Sequence, residues 1–216
     1  MFSRAFTSNI AHQLVSASTG VVSIVFVVLL RLLRATWRID AAGKLTLDRL
    51  LTDEKPTIIV FWHGHMAPLL SVLDRYSASV LSSSGFRGKV IGQIAEAFGN
   101  ISLQVGYPNR LGSLRTALIC QPRLLAIAVD GPLGPYHRVK SGAIILSATC
   151  AARIVPVFAE VSSAGHLPRW DRMAIPLPFA KVSIRVGRPM RFTREDLKRA
   201  DCAAEIVRTA LEELED

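Results

Sequence analysis

Hydrophobic and polar positions alternate between two periods after Asp40. Short runs rich in β-branched residues are typical of buried strands, and apolar residues that recur every three to four positions are typical of helices. The predicted strands are Thr57–Trp62, Ser79–Leu81, Ile101–Val105, Leu124–Val129, Ile154–Ala159 and Val182–Val186. The predicted helices are Met66–Tyr76, Lys89–Phe98, Ser113–Cys120, Ser141–Ala152 and Arg194–Leu214. This order predicts an α/β fold with a largely parallel central sheet flanked by helices.

The last predicted helix has the clearest pattern. Thr193 stands at its start with Asp196 three residues further on, which is the spacing of a reciprocal cap. Its apolar stripe consists of Ile206, Val207, Ala210, Leu211 and Leu214. We expect this stripe to pack in the core.

The first 38 residues follow a different pattern. The segment from Ala5 to Leu30 has no formal charge, and its second half, GVVSIVFVVLL, is too short to be read first as a spanning helix. Arg31, Arg34 and Arg38 then recur on one helical face beside leucines, which is typical of a helix in the membrane interface. We expect residues 1–38 to be a membrane anchor and residues 39–216 to be the functional domain. A buried core helix is the alternative.

Composition favours a membrane partner. The net charge is +9 and half of the residues are hydrophobic, so the surface should attract either an anionic leaflet or a nucleic acid. Aromatic residues make up only 7%, and they are not interleaved with basic residues as in proteins that stack bases. We therefore expect anionic lipids and no nucleic acid. Three distant cysteines predict neither a disulfide framework nor a zinc knuckle.

Candidate chemistry lies at the strand ends, because ligands of open α/β sheets bind beyond the carboxyl ends of the strands. The first predicted strand runs into FWHGHMAP, with His63 and His65 two positions apart. Such a pair could supply two metal ligands, one neutral imidazole could take a proton from a hydroxyl, or both could support a turn. No HExxH or paired-cysteine spacing completes a metal site. We favour a general base.

Two other strand ends carry charged side chains. The turn VGYPNR places Arg110 near a helix start, where a guanidinium group suits a phosphate unless it is simply solvated. The stretch LLAIAVDGPLGPYHRVKSG has Asp130 at its strand end, then Arg138, Lys140 and the candidate N-cap Ser141. A carboxylate beside cations could orient a base or help to bind an anionic head group, or it could only cap the turn.

These strand ends resemble the four ordered blocks of the lysophospholipid (glycerol-phosphate) acyltransferases. Those blocks are a histidine motif, a G-x-x-x-R turn, a carboxylate-glycine block and an I-V-P-V strand. Here they read FWHGHMAP, GYPNR, VDGPLGP and RIVPVFAE. The phrases DGPLGPYHRVKSGAIILS and RWDRMAIPLPFAKVSIRVGRPM also resemble a poorly characterised bacterial branch, known as a domain of unknown function. The resemblance extends from about Trp37 to Met190.

The resemblance implies a glycerol-phosphate acyltransferase-like fold and a membrane-associated enzyme without a metal or cofactor. It would move an acyl chain from acyl-CoA or acyl carrier protein to a hydroxyl of a lysophospholipid or lipid-linked sugar, on the cytoplasmic side of the inner membrane. His63 matches the catalytic base and Arg110 matches the arginine that holds the acceptor phosphate. Expected residues of the third block and its surroundings are catalytic Asp130 and substrate-binding Gly131, Arg138 and Lys140. His65 of the first block is also expected to bind substrate.

The chain departs from the family pattern at Pro68, where the superfamily has an aspartate five positions after the histidine. That aspartate fixes the imidazole tautomer, and losing such a group is costly in other enzymes. Asp130 or Glu160 could orient the ring from another strand. The departure also keeps open a lipid-binding protein without catalysis, while the histidine pair keeps open a metal-dependent hydrolase. Phe86 and Arg87 replace an acidic position of the branch, which affects acceptor specificity.

Overall fold

A seven-stranded sheet with helices on both faces forms the centre of the fold. The structure is a computed structural model that describes residues 24–25, 27–53, 55–70, 72–83, 85–105, 112, 114–116 and 124–216. The strands are β1 (Arg38–Ile39), β2 (Thr57–Phe61), β3 (Ser79–Ser83), β4 (Ile101–Val105), β5 (Leu124–Ala128), β6 (Arg153–Val161), β7 (Ala164–His166), β8 (Ala174–Pro176) and β9 (Lys181–Val186). The helices are α1 (residues 24–25 and 27–36), α2 (Ala41–Leu51), α3 (Met66–Leu70), α4 (Phe86–Ala97), α5 (Gly142–Cys150) and α6 (Ala200–Glu212).

The strand order is β1-β9-β6-β2-β5-β3-β4. The five strands from β6 to β4 in this order are mutually parallel, and β9 is antiparallel to β6. Strand β1 runs parallel to β9, while β7 and β8 form a separate antiparallel hairpin. The predicted α/β fold with a largely parallel central sheet is therefore confirmed.

The central strand β2 is almost entirely apolar because both of its faces are buried. Ile59 and Phe61 pack in one core cluster with residues of α1 to α4, and Ile58 and Val60 pack in the other cluster with residues of α5 and α6. Successive strand residues point to opposite faces, and helices cover both faces here. This arrangement leaves the carboxyl end of β2 as the place where polar side chains can meet.

The predicted strands all form, with small changes at their ends. Strands β1, β7 and β8 were not predicted, because two or three residues give no apolar run.

The starts of the predicted helices differ in detail from the expectation. The Thr193 N–H and hydroxyl donate to Asp196 at 2.7 and 2.8 Å, but a 3-10 turn, Asp196–Arg199, precedes α6. Ser141 is the N-cap residue of α5 as predicted, but its side chain makes no capping hydrogen bond. Of the predicted helix Ser113–Cys120, residues 114–116 are helical and the others lie outside the described residues.

Helix α1 presents apolar side chains to solvent and also belongs to the core. Its exposed large apolar residues are Ile24, Val25, Val28, Leu29 and Leu32, whereas Leu30 and the following Trp37 are buried. Nowhere in the described part of the chain is a helix both long enough and apolar enough to cross a membrane. The anchor at residues 1–38 stays a prediction, and its first 23 residues lie outside the described residues.

The arginines after the apolar run contact the protein itself. Arg31 donates to the carbonyl oxygen of Ala97 at 2.5 Å, and Arg34 lies 3.9 Å from the carboxylate of Asp74. Arg38 belongs to β1 rather than to the helix. The expectation of one helical face formed by the three arginines is therefore wrong for Arg38, because α1 ends at residue 36.

Helix α6 allows a test of the packing against the sheet. Leu211 has no exposed surface, and truncating it to alanine is expected to lower the free energy of unfolding by about 2–5 kcal/mol through lost burial and a cavity. Ile206 is 54% exposed on the same helix, so Ile206→Ala is the matched control, with an expected change within about 0.5 kcal/mol. Urea unfolding followed by circular dichroism measures both changes. Equal losses in the two variants would contradict this packing.

Candidate active site

His63 lies at the carboxyl end of β2 and is 6% exposed. It begins a 3-10 turn, His63–His65, so the chain bends sharply at the edge of the sheet. The backbone N–H of His63 donates to Asp130 Oδ1 at 2.9 Å. Strands β2 and β5 are paired in register up to Phe61 and Ala128, and this pairing brings the two residues together.

The ring of His63 is held by a carboxylate that was not predicted. His63 Nδ1 donates to Asp171 Oδ2 at 2.8 Å, and Asp171 is 1% exposed in the connection between β7 and β8. With the Nδ1 proton directed at Asp171, Nε2 of the neutral ring carries the lone pair that can accept a proton. This is the geometry of a general base with an orienting carboxylate.

The surroundings keep the His63 imidazole neutral. Burial lowers the pKa of His63 below its usual value and is the largest effect. The charge of Asp171 and its hydrogen bond to the ring raise the same pKa. Arg169 lies 3.4 Å from the same Asp171 oxygen, and its positive charge also lowers the His63 pKa. A ring that is neutral near pH 7 can accept a proton.

Position 64, between the two histidines, requires a glycine because the β7–β8 hairpin comes very close to it. A Cβ atom added at Gly64 would lie 2.3 Å from the backbone carbonyl oxygen of Asp171. No side chain fits in that space without moving the backbone that carries Asp171. Gly64 therefore allows the hairpin to come close enough for its carboxylate to reach His63.

Neither carboxylate suggested from the sequence orients the ring. Asp130 is fully buried and holds the backbone of His63, and its second oxygen has no partner among the described residues. Burial raises the pKa of Asp130 to about 6. Glu160 forms an ion pair with Arg185 at 3.0 Å. The suggestion that Asp130 or Glu160 orients the His63 ring in place of the family aspartate is therefore wrong, because the ring is bonded by Asp171.

A mainly apolar cavity of about 150 Å³ opens beside His63. Strands β2, β3 and β5 and helix α4 supply most of its wall, and Gly131 and Arg169 lie at the polar part. The apolar lining residues are Phe61, Met66, Val80, Leu81, Ile91, Ala126, Ile127, Ala128 and Pro132. Such a cavity is suited to hold a hydrocarbon group next to an imidazole.

His65 points away from this cavity. Its Nδ1 lies 3.1 Å from the carbonyl oxygen of Ala159, its ring packs on Phe158, and burial lowers its pKa to about 4. The two histidines therefore have different partners on different elements. The described residues contain no group of three or more histidine, cysteine or acidic side chains that could hold a metal ion. Substrate binding by His65 stays a prediction.

The loop after β5 brings two of the predicted cations to the same edge. Gly131 has a φ of +69°, and a Cβ there would lie 2.9 Å from Lys140 Nζ, so the lysine side chain crosses the glycine. Arg138 is exposed nearby, and its N–H donates to the carbonyl oxygen of Pro135. Arg110 lies outside the described residues, and its phosphate contact stays a prediction.

The β7–β8 hairpin and the loop after β5 pack against each other around His63. A Cβ at Gly134 would lie 2.7 Å from the ring of Trp170, and that ring lies 5.5 Å from the ring of His63. Arg172 lies over the ring of Tyr136, with 5.4 Å to its centroid. The two segments thereby fix each other next to the base.

Comparisons with known proteins bear on the fold of the chain. No family model matches the chain. A solved structure, the 1-acyl-sn-glycerophosphate (LPA) acyltransferase PlsC from Thermotoga maritima, is similar with a TM-score of 0.52 over 86% of this chain and 79% of that chain. The chain has the fold of this acyltransferase. The two sequences are 13% identical, so the likeness concerns the acyltransferase fold.

A sequence relative of the chain is an uncharacterized protein of Rickettsia prowazekii (strain Madrid E). The two are 28% identical over 152 residues, which is 68% of this chain and 69% of the relative. This relative fits the expectation of a poorly characterised branch.

Proposed function

We propose that the protein is a membrane-associated O-acyltransferase with His63 as its general base. It transfers an acyl chain from a thioester, acyl-CoA or acyl carrier protein, to a hydroxyl of a lysophospholipid or lipid-linked sugar. The observation that supports this most is the buried His63–Asp171 pair beside an apolar cavity, within an acyltransferase fold. The proposed site of action is the cytoplasmic side of the inner membrane.

The proposed reaction requires one proton acceptor. His63 Nε2 takes the proton of the acceptor hydroxyl as its oxygen attacks the thioester carbonyl carbon. The carbon–sulfur bond then breaks, the new ester remains on the acceptor, and the proton passes from Nε2 to the leaving sulfur. Asp171 keeps the ring in the required tautomer and stabilises the imidazolium between these steps.

The surrounding residues fit the two substrates. The apolar cavity is proposed to hold the acyl chain, which places the thioester carbonyl near His63 and keeps water away. Arg169 lines this cavity with 36% of its side chain exposed, so it can face the negative charge of the reacting oxygen or of a phosphate. Arg110, Arg138 and Lys140 are proposed to receive the anionic head group of the acceptor.

Lipid profiling by mass spectrometry tests this function. Cells expressing the wild-type protein are compared with cells expressing His63→Ala at equal membrane abundance, and an empty vector provides the background. We expect one or more acylated lipids to be gained only with the wild-type protein, because the variant lacks the base. Identical profiles for wild type and His63→Ala would contradict acyl transfer and favour the lipid-binding alternative.

A further inference from the structure

Exposed apolar side chains cluster at the edge of the sheet that holds His63. Within the described ranges, every exposed large hydrophobic residue outside a helix or strand lies at this edge: Leu133, Tyr136, Leu177 and Phe179. Leu133 is 85% exposed and Phe179 is 69% exposed. Isolated exposed apolar residues are common, but several at the tips of neighbouring loops indicate an interaction surface.

The topology places the loops that carry Leu133 and Phe179 at the same edge of the sheet, on either side of β2. Leu133 follows β5, whose carboxyl end carries Asp130 next to His63. The turn with Phe179 leads into β9, and Val182 near the start of β9 pairs with Val161 at the end of β6. Strands β5 and β6 are the two parallel neighbours of β2, so both loops lie beyond the carboxyl ends of strands that flank the base.

Cations accompany the apolar tips. Arg138, Lys140, Arg169 and Arg172 are exposed on the loop after β5 and in the β7–β8 connection, whereas Asp130 and Asp171 at the centre of the edge are buried. Exposed apolar side chains together with arginine and lysine at one edge match the composition of a surface that binds an anionic membrane, where acyl chains lie beneath phosphates. This charge pattern complements an anionic lipid surface, and the net charge of +9 acts in the same direction.

The turn with Phe179 also contacts helix α1. The backbone N–H of Phe179 donates to Thr36 Oγ1 at 3.1 Å, so the turn is fixed to the last turn of a helix that exposes several apolar side chains. The segment that precedes α1 in the sequence, from Ala5 onward, has no formal charge. The end of α1 therefore lies at the edge that carries the base.

We propose that this edge of the catalytic domain docks on an anionic lipid bilayer. Leu133 and Phe179 enter the boundary of the acyl chains, and the four cations contact lipid phosphates. The cavity beside His63 then opens into the layer of the head groups, where a lipid hydroxyl is located. The proposal rests on the membrane-associated part of the proposed function.

Tryptophan fluorescence with brominated lipids tests the docking. Leu133→Trp and Phe179→Trp are made in the full chain and added to phosphatidylglycerol vesicles whose acyl chains are brominated near the head group. The control is Ile206→Trp. Ile206 is also exposed, but it lies on α6, which packs on the face of the sheet opposite to α1. After subtraction of the wild-type signal, we expect at least about twofold stronger quenching at positions 133 and 179 than at position 206.

Further measurements decide the remaining outcomes. Quenching at positions 133 and 179 no greater than at position 206 would overturn the proposal, as would equal quenching on neutral phosphatidylcholine vesicles. Circular dichroism shows whether each tryptophan variant is folded. If one is misfolded, the double variant Leu133→Asp with Phe179→Asp provides the second test. We expect a smaller fraction of this double variant to be bound to vesicles. Unchanged binding of that double variant would also overturn it. No acyl donor is present, so a failure of docking is distinguishable from a failure of acyl transfer.

Discussion

Replacing Asp171 with asparagine is expected to lower kcat for acyl transfer by about 10³–10⁴-fold, by analogy with the buried aspartate of the serine-protease triad. An asparagine has nearly the same shape, but its amide can donate to Nδ1 and thereby place the imidazole proton on Nε2, which is the atom that must accept a proton. It also removes the negative charge that stabilises the imidazolium. Steady-state release of the thiol from an acyl thioester, with the acceptor found by lipid profiling, measures the change.

A pH profile separates this role from a purely structural one. Burial lowers the pKa of His63 and the Asp171 carboxylate opposes that effect, so removing the charge lowers the His63 pKa further. The base must be neutral to act, and the acidic limb of kcat/KM is therefore expected to move to lower pH in Asp171→Asn. A variant that only folded less well would lose amplitude without moving the limb.

Glu160→Gln is the matched control for Asp171→Asn. Both changes remove one carboxylate, but Glu160 is exposed and pairs with Arg185 on β9. We expect its kcat to remain within about twofold of wild type, because the pair is on the surface. A loss in Glu160→Gln as large as that in Asp171→Asn, or full activity of Asp171→Asn, would contradict the assignment of Asp171.

Replacing Gly64 with alanine is expected to lower kcat by about 10²-fold, because a displacement of catalytic groups by roughly 1 Å can cost this much. The added methyl group would meet the carbonyl oxygen of Asp171 at 2.3 Å, so the hairpin must move away and its carboxylate must leave His63. This contact is not part of the central sheet, so the secondary structure should be retained. The far-ultraviolet circular dichroism spectrum is therefore expected to stay the same. Thiol release again provides the measurement.

Gly142→Ala is the control for the effect of a methyl group. A Cβ added at Gly142 meets nothing within 4 Å, and this residue begins helix α5, where alanine is favourable. Activity of Gly142→Ala is expected to match wild type. If Gly64→Ala were equally active, the close approach of the hairpin to the histidine turn would not be needed for catalysis.

The sheet could be predicted from the sequence because it is buried on both faces. Runs such as TIIVF and LLAIA are apolar at every position, and that pattern is strong enough to locate β2 and β5 within one residue. His63 and Asp130 follow from the ends of these strands. Their proximity then follows from the rule that parallel strands end at the same edge.

Asp171 could not be predicted in the same way. It is 108 residues from His63, and the strands β7 and β8 that position it have three residues each, too few to show a period. The glycine of HGH was the local signal, since a glycine beside a reactive residue often marks a close approach of another backbone. Which backbone approaches depends on how the hairpin docks, and neither periodicity nor propensity encodes that.

The order of the elements along the chain has a consequence for synthesis. All five parallel strands are complete at Val161, before the hairpin with Asp171 has been made. A nascent chain that has left the ribosome only as far as β6 carries His63 without the carboxylate that orients it. A newly made chain therefore acquires its reactive pair only after the five parallel strands have been synthesised.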